Sequence, residues 1–130
     1  MKYMLDTDVC IALIRQKSPG LLAKVTSCQP GDVGLSSITI AELQYGVERS
    51  QHREQNAAAL MQFLLPFEIA DFDAASALTY GRIRAELEAQ GTPIGSLNTL
   101  IAAHALSLKV TLVTNNLREF ERVDGLKVES

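Results

Sequence analysis

The chain has 130 residues, 47% of them hydrophobic, with eight glycines and four prolines, which suits one compact domain with its own core and leaves no room for a second. Twelve Lys and Arg against fifteen Asp and Glu give a net charge of −3, so bulk charge does not hold nucleic acid here, and a local basic patch or metal ions would be needed. Cys10 and Cys28 lack metal-ligand spacing and read as reduced buried thiols; with no signal-like start and no run of membrane-spanning length, a soluble cytoplasmic protein is expected.

Tyr3-Met4-Leu5 is an apolar run too short for a helix. Its consecutive apolar positions suit a buried strand in the middle of a parallel sheet, with Asp6 at its carboxyl end. A helix is predicted from Thr7 to about Gln16, and Ser18-Pro19 offer an N-cap and a first-turn proline for another reaching about Cys28. After the turn Gln29-Pro30-Gly31-Asp32, Val33 to Ser36 reads as the second strand. The helix from Ile38 to about Ser50 places Glu42 on the face of Ile38 and Tyr45, both expected to point inward. An acid aimed at the core needs a partner.

Arg53 to Leu65 carries Ala57, Leu60, Met61 and Leu64 at helical spacing; Pro66 ends it, and Phe67 to Ala70 follows as the third strand. Asp73 reads as the N-cap of a helix to about Gln90, with Tyr80, Ile83 and Leu87 on one stripe and the pairs Arg82–Glu86 and Arg84–Glu88 four apart; Gly91 and Pro93 close it. Gly95-Ser96 opens the most regular helix, where Leu97, Leu100, Ile101, His104, Ala105 and Leu108 share one buried stripe. Asn98 lies in its first turn, and His104 reads as a satisfied core histidine. Thr111 to Thr114 is the fourth strand, Arg118 to Phe120 a short helix, and Leu126 to Val128 a last edge strand. The alternation predicts a doubly wound α/β fold with a central, mostly parallel sheet of about five strands flanked by helices.

In such a sheet the carboxyl ends of the central strands meet at the point where the strand order reverses. Asp6, Glu42, Asn98 and the segment Thr114 to Glu119 can converge there. Carboxylates gathered in one cleft repel one another, and a hard divalent cation, Mg²⁺ or Mn²⁺, resolves that repulsion, with Asp6 and Glu42 as ligands. Such ions activate water and offset charge on a phosphate, the chemistry of phosphodiester hydrolysis. Thr114 is placed to orient a carboxylate or a water, whereas Asp32, Asp71 and Asp73 look like caps and turns.

Four segments, MLDTDVCI, SSITIAELQYGVERS, GRIRAEL with GTPIGSLNTLIAAHAL, and LVTNNLREFERVDGL, give the chain a resemblance over nearly its whole length to the PIN-domain ribonucleases, and within them to VapC-type toxins of toxin–antitoxin pairs. The resemblance implies a three-layer PIN fold and a Mg²⁺- or Mn²⁺-dependent endoribonuclease. Its acids would be Asp6, Glu42 and the position held here by Asn98, with a fourth contribution from Asn116 or Glu119, Glu119 being preferred; Asp8, Thr114 and Asn115 would support them. It also implies structured RNA as substrate, with tRNA and the anticodon stem-loop of initiator tRNA as candidates. A VapB-type antitoxin that inserts a segment into the acidic cleft, a toxin homodimer and a toxin–antitoxin hetero-oligomer are the implied partners.

Two positions depart from that pattern. Asp8 replaces a usual Asn, a tolerable change. Asn98 stands where the family carries Asp, and a neutral amide binds a hard cation more weakly than a carboxylate does. Losses around a metal's ligands typically cost about 10- to 100-fold in affinity or activity, so a weakened or inactive nuclease is expected. The change reads as engineered, with natural degeneration as the alternative. Without the resemblance Asn98 is an ordinary helix-start residue, and Glu119 is a surface acid able to pair with Arg118 or Arg122. Two rival readings remain: an aspartyl phosphatase of the haloacid dehalogenase type, which the short tail after Thr114 disfavours, and a catalytically dead domain that binds RNA or its antitoxin.

Overall fold

The structure, a computed structural model, describes residues 1–130. Its five strands are β1 (Tyr3–Leu5), β2 (Val33–Ser36), β3 (Glu68–Ala70), β4 (Thr111–Val113) and β5 (Val128–Glu129). All pair in parallel, in the order β3-β2-β1-β4-β5. The helices are α1 (Thr7–Ile14), α2 (Pro19–Thr26), α3 (Ser37–Glu48), α4 (Arg53–Leu64), α5 (Ala74–Ala89), α6 (Ser96–Leu108) and α7 (Leu117–Phe120). No helix is long and apolar enough to cross a membrane.

The central strand explains the layering. Met4 and Leu5 are both fully buried but on opposite faces of the sheet, because successive strand side chains alternate. Met4 packs with Ile83 of α5, Ile101 of α6, Leu112 and Phe120. Leu5 packs with Val9 of α1, Leu35, Leu43 and Val47 of α3, Leu60 of α4 and Val113. One dipeptide therefore seeds both cores. The strand order reverses beside β1, so the crevice between the carboxyl ends of β1 and β4 is the place where Asp6 and Thr114 emerge together.

β2 must accept β3 at close range. A Cβ on Gly34 would strike the Met1 side chain and come within 2.6 Å of the Glu68 carbonyl oxygen, and a backbone oxygen in a ladder cannot step aside. Gly34→Ala should therefore destabilise the chain by about 1–3 kcal/mol, the usual cost of overpacking, read as a lower urea midpoint at unchanged slope.

Several helix faces differ from their expected orientation. On α3 the buried residues are Thr39, Leu43 and Val47, while Tyr45 is 65% exposed; the Thr39 hydroxyl finds a partner across the helix contact and takes an inward place. α4 buries Leu60 but exposes Met61, and its C-cap Leu65 is exposed as well. On α6 the core is built from Thr99 and Ile101 through Ala105, with Leu97 and Leu108 exposed, because the small alanines let α6 lie close against its neighbours. Ser18 makes no side-chain cap bond. β3 starts one residue later than expected, since the Phe67 N–H closes a turn onto the Leu64 carbonyl, and β5 starts two later, since the Leu126 N–H turns back to Val123. Other expectations match: Asp73 caps α5 through the Ser76 N–H, Arg82–Glu86 and Arg84–Glu88 pair, and buried His104 holds Ser36 Oγ at 2.7 Å; Cys10 and Cys28 are both free thiols, but only Cys10 is buried, Cys28 being half-exposed just past the end of α2.

Candidate functional site

Asp6 leaves the end of β1 and becomes the N-cap of α1, its Oδ1 accepting the Val9 N–H at 3.0 Å. Its Oδ2 accepts the Thr114 hydroxyl at 2.6 Å. Asp6 is thus at once the cap of α1 and an acid of the crevice. It is 3% exposed, and burial raises its pKa above the ordinary value, against the opposing bonds from Thr114 and Val9 and with a further upward push from Asp8. The same burial, reinforced by the Asp6 charge, pushes the Cys10 thiol well up, leaving it protonated and inert.

Glu42 is half-buried on α3. Its partner is Thr7, whose hydroxyl donates to Oε1 at 2.6 Å and lies 3.3 Å from the Thr39 hydroxyl. On the other side of the crevice, Glu119 of α7 accepts three N–H groups: Gly95 at 2.8 Å and Asn98 Nδ2 at 3.2 Å on Oε1, and Asn116 Nδ2 at 2.8 Å on Oε2. The Gly95 amide, then Asn98 and Asn116, hold its carboxyl below the usual range. Thr114 Oγ1 also accepts the Asn116 N–H at 2.9 Å. Asp6, Thr114, Asn116, Glu119 and Asn98 therefore form one continuous hydrogen-bonded chain, and Glu42 joins it through the residue next to Asp6.

Glu119 does not pair with Arg118 or Arg122 by direct contact. Asp8 and Asn115 are exposed and make no side-chain bond; Asp8 acts on Asp6 through its charge, which raises the pKa, and through its backbone N–H, which lowers it. Thr7, Thr39 and the Gly95 amide went unrecognised in the sequence. The first two carried a signal, a threonine between two acids and another three residues before Glu42; the third carried none.

Whether these residues suit a divalent cation follows from the donor set. Asp6, Glu42 and the Asn98 amide offer hard oxygen atoms and no soft ligand, and none of the acids is neutralised by Lys or Arg. No three of the His, Cys, Asp and Glu side chains come together as a metal-binding group, and Glu119 is already engaged by three N–H donors. The donor chemistry is thus that of a hard divalent cation such as Mg²⁺ or Mn²⁺. Beside Glu42 opens a cavity of about 270 Å³, lined by Ile11, Ile14, Arg15, Leu43 and Asn56 among others. A larger one of about 580 Å³ between α2 and α4 contains none of these acids.

Thr114→Val tests the network. Loss of a hydroxyl that donates to Asp6 and accepts from Asn116 should cost about 1–3 kcal/mol, and it should raise the Asp6 pKa further, as seen by NMR titration of the carboxyl carbon.

An all-parallel sheet whose switch point brings Asp6 and Thr114 together defines the class, and similarity to known proteins gives the family. The PIN domain matches residues 3–126. A tRNA(fMet)-specific endonuclease VapC of Shigella flexneri is 45% identical over 129 residues, spanning 99% of this chain and 97% of that one. Among solved structures, the DNA-bound VapBC of Salmonella typhimurium aligns with a TM-score of 0.93 at 43% identity, over 99% of this chain and 97% of that one. VapBC2 of Rickettsia felis, bound to a promoter DNA fragment, aligns with a TM-score of 0.90 at 42% identity, over 99% and 98%. The chain belongs to the PIN-domain family, in its VapC branch.

Proposed function

We propose that this chain is the toxin of a VapBC pair, an endoribonuclease that uses Mg²⁺ or Mn²⁺ to cleave structured RNA, and that Asn98 leaves it weak or inactive. The observation that carries the reading is the pair of carboxylates without counter-cations, Asp6 and Glu42, presented from adjoining elements at the crevice beside β1. Asp6, Glu42 and Asn98 Oδ1 would hold the ion, with Glu119 at its edge. When bound, such an ion activates water and offsets charge on the phosphate.

The protein's own groups prepare that site. Thr114 and the Val9 amide fix Asp6, Thr7 holds Glu42, and Asn98 with Asn116 holds Glu119. Arg15, which shares a cavity with Glu42, and Arg118, adjacent to Glu119 in sequence, make no ion pair and are free to meet RNA phosphates. The relative from Shigella flexneri is named for action on tRNA(fMet), which makes initiator tRNA and its anticodon stem-loop the first substrate to test. The aligned structures are VapBC complexes, which supports a VapB-type antitoxin as partner; a toxin homodimer within that complex is part of the same proposal.

A second reading, a dead domain that binds RNA or antitoxin without turnover, is favoured by one observation: the Asn98 amide donates to Glu119 in the place where a ligand oxygen is wanted. The two separate on a tRNA panel incubated with the purified chain in Mg²⁺, Mn²⁺ or EDTA. Slow cleavage that EDTA stops supports the nuclease. Retention of RNA in EDTA, with no fragments in any metal, supports the binding module.

A further inference from the structure

Resting on the metal site proposed above, the geometry points to Thr7 as the positioning residue for Glu42. The Glu42 side chain makes a single hydrogen bond, from Thr7 Oγ1 at 2.6 Å, and no ion pair. A glutamate on a half-buried helix face otherwise samples several rotamers, and an unfixed carboxylate is a poor ligand or base. Thr7 is suited to fixing it. It is β-branched and stiff about χ1, and it occupies the first position of α1, where the Asp6 cap has already set the backbone. Fully buried Thr39 lies on the other side of the same hydroxyl, at 3.3 Å, one turn before Glu42 on α3. One oxygen is thereby held against two residues of α3.

The consequence is directional. Thr7 engages Oε1, so Oε2 is left without a protein partner and is the oxygen free to take a ligand. Because Thr7 follows Asp6 directly, one dipeptide sets both carboxylates: Asp6 as a member of it, Glu42 through its hydroxyl. A merely structural Thr7, packing α1 on α3, would be replaced by the isosteric Val without effect on Glu42.

The test uses Thr7→Val, Thr7→Ala and Thr7→Ser. In the metal-free chain the Glu42 carboxyl carbon is followed by NMR; in the Asn98→Asp form, Mn²⁺ affinity is measured by electron paramagnetic resonance. We expect Val and Ala to move the Glu42 resonance toward that of a free glutamate and to weaken Mn²⁺ binding about 10-fold, the low end for a residue that orients a ligand. Ser should restore both. Thr7→Ala removes the hydroxyl without adding bulk, so an effect of Val alone would mark a packing artefact and count against the role. Resonance and Mn²⁺ affinity that stay at parent values in Val and Ala, or are not rescued by Ser, overturn it. An Asn98→Asp parent that binds no Mn²⁺ sinks the metal site itself and this role with it, whereas Mn²⁺ binding indifferent to Thr7 sinks only the role.

Discussion

Asn98→Asp is expected to raise Mn²⁺ affinity and metal-dependent RNA cleavage by at least about 10- to 100-fold, because a ligand carboxylate replaces an amide in a site where lesser changes already cost that much. The structure adds a second consequence. Asn98 donates to Glu119 at 3.2 Å and is one of three N–H groups satisfying that carboxylate. An aspartate there donates nothing and sets a like charge beside it. The metal-free Asn98→Asp protein should therefore be less stable than the present chain, by about 1–3 kcal/mol for a lost partner to a charged group, and should recover on adding Mn²⁺ by mass action. Thermal melts with and without Mn²⁺ read this directly. A melting temperature that is the same in both proteins and indifferent to Mn²⁺ contradicts it.

Asp6→Asn should act in the opposite sense on the two properties. In the Asn98→Asp background it removes a ligand carboxylate, and cleavage should fall by about 100-fold or more. Stability at neutral pH should rise. The folded pKa of Asp6 is raised by burial, so the native state binds that proton more tightly than the unfolded chain. The resulting penalty is fully present above the folded pKa and is relieved as pH falls toward the unfolded value near 3.8. Asp6→Asn removes the penalty, so its melting temperature should exceed the parent's at pH 7, and the two should converge as pH falls through that window. Glu119 runs the other way. Its lowered pKa adds stability that is present above the unfolded value and lost as pH falls through the folded one, and this contribution remains in the Asp6→Asn form.

What the sequence disclosed and what it withheld divide along a physical line. Local signals were readable: the apolar run of β1 ending on an acid, β2 at Val33–Ser36, the Asp73 cap and the ion pairs of α5. Helix faces were less so. Tyr45, Met61, Leu97 and Leu108 fit an inward stripe by spacing, yet they are exposed, because burial is decided by how closely two elements approach. Thr39 and the alanines of α6 permit a closeness that larger residues would not. In the site, Asp6 and Thr114 met as expected at the ends of neighbouring strands. The bond from Thr7 to Glu42 spans 35 residues and that from Gly95 to Glu119 spans 24. Neither separation has a periodicity to betray it.

The most direct measurement of the proposed nuclease is cleavage of initiator tRNA by the Asn98→Asp protein, with Mg²⁺ or EDTA, beside the same protein carrying Asp6→Asn. A metal-dependent nuclease built on Asp6 gives fragments from the anticodon stem-loop with Mg²⁺, none in EDTA and none with Asp6→Asn. Fragments that persist in EDTA, or intact tRNA in every lane from a folded protein, would contradict it.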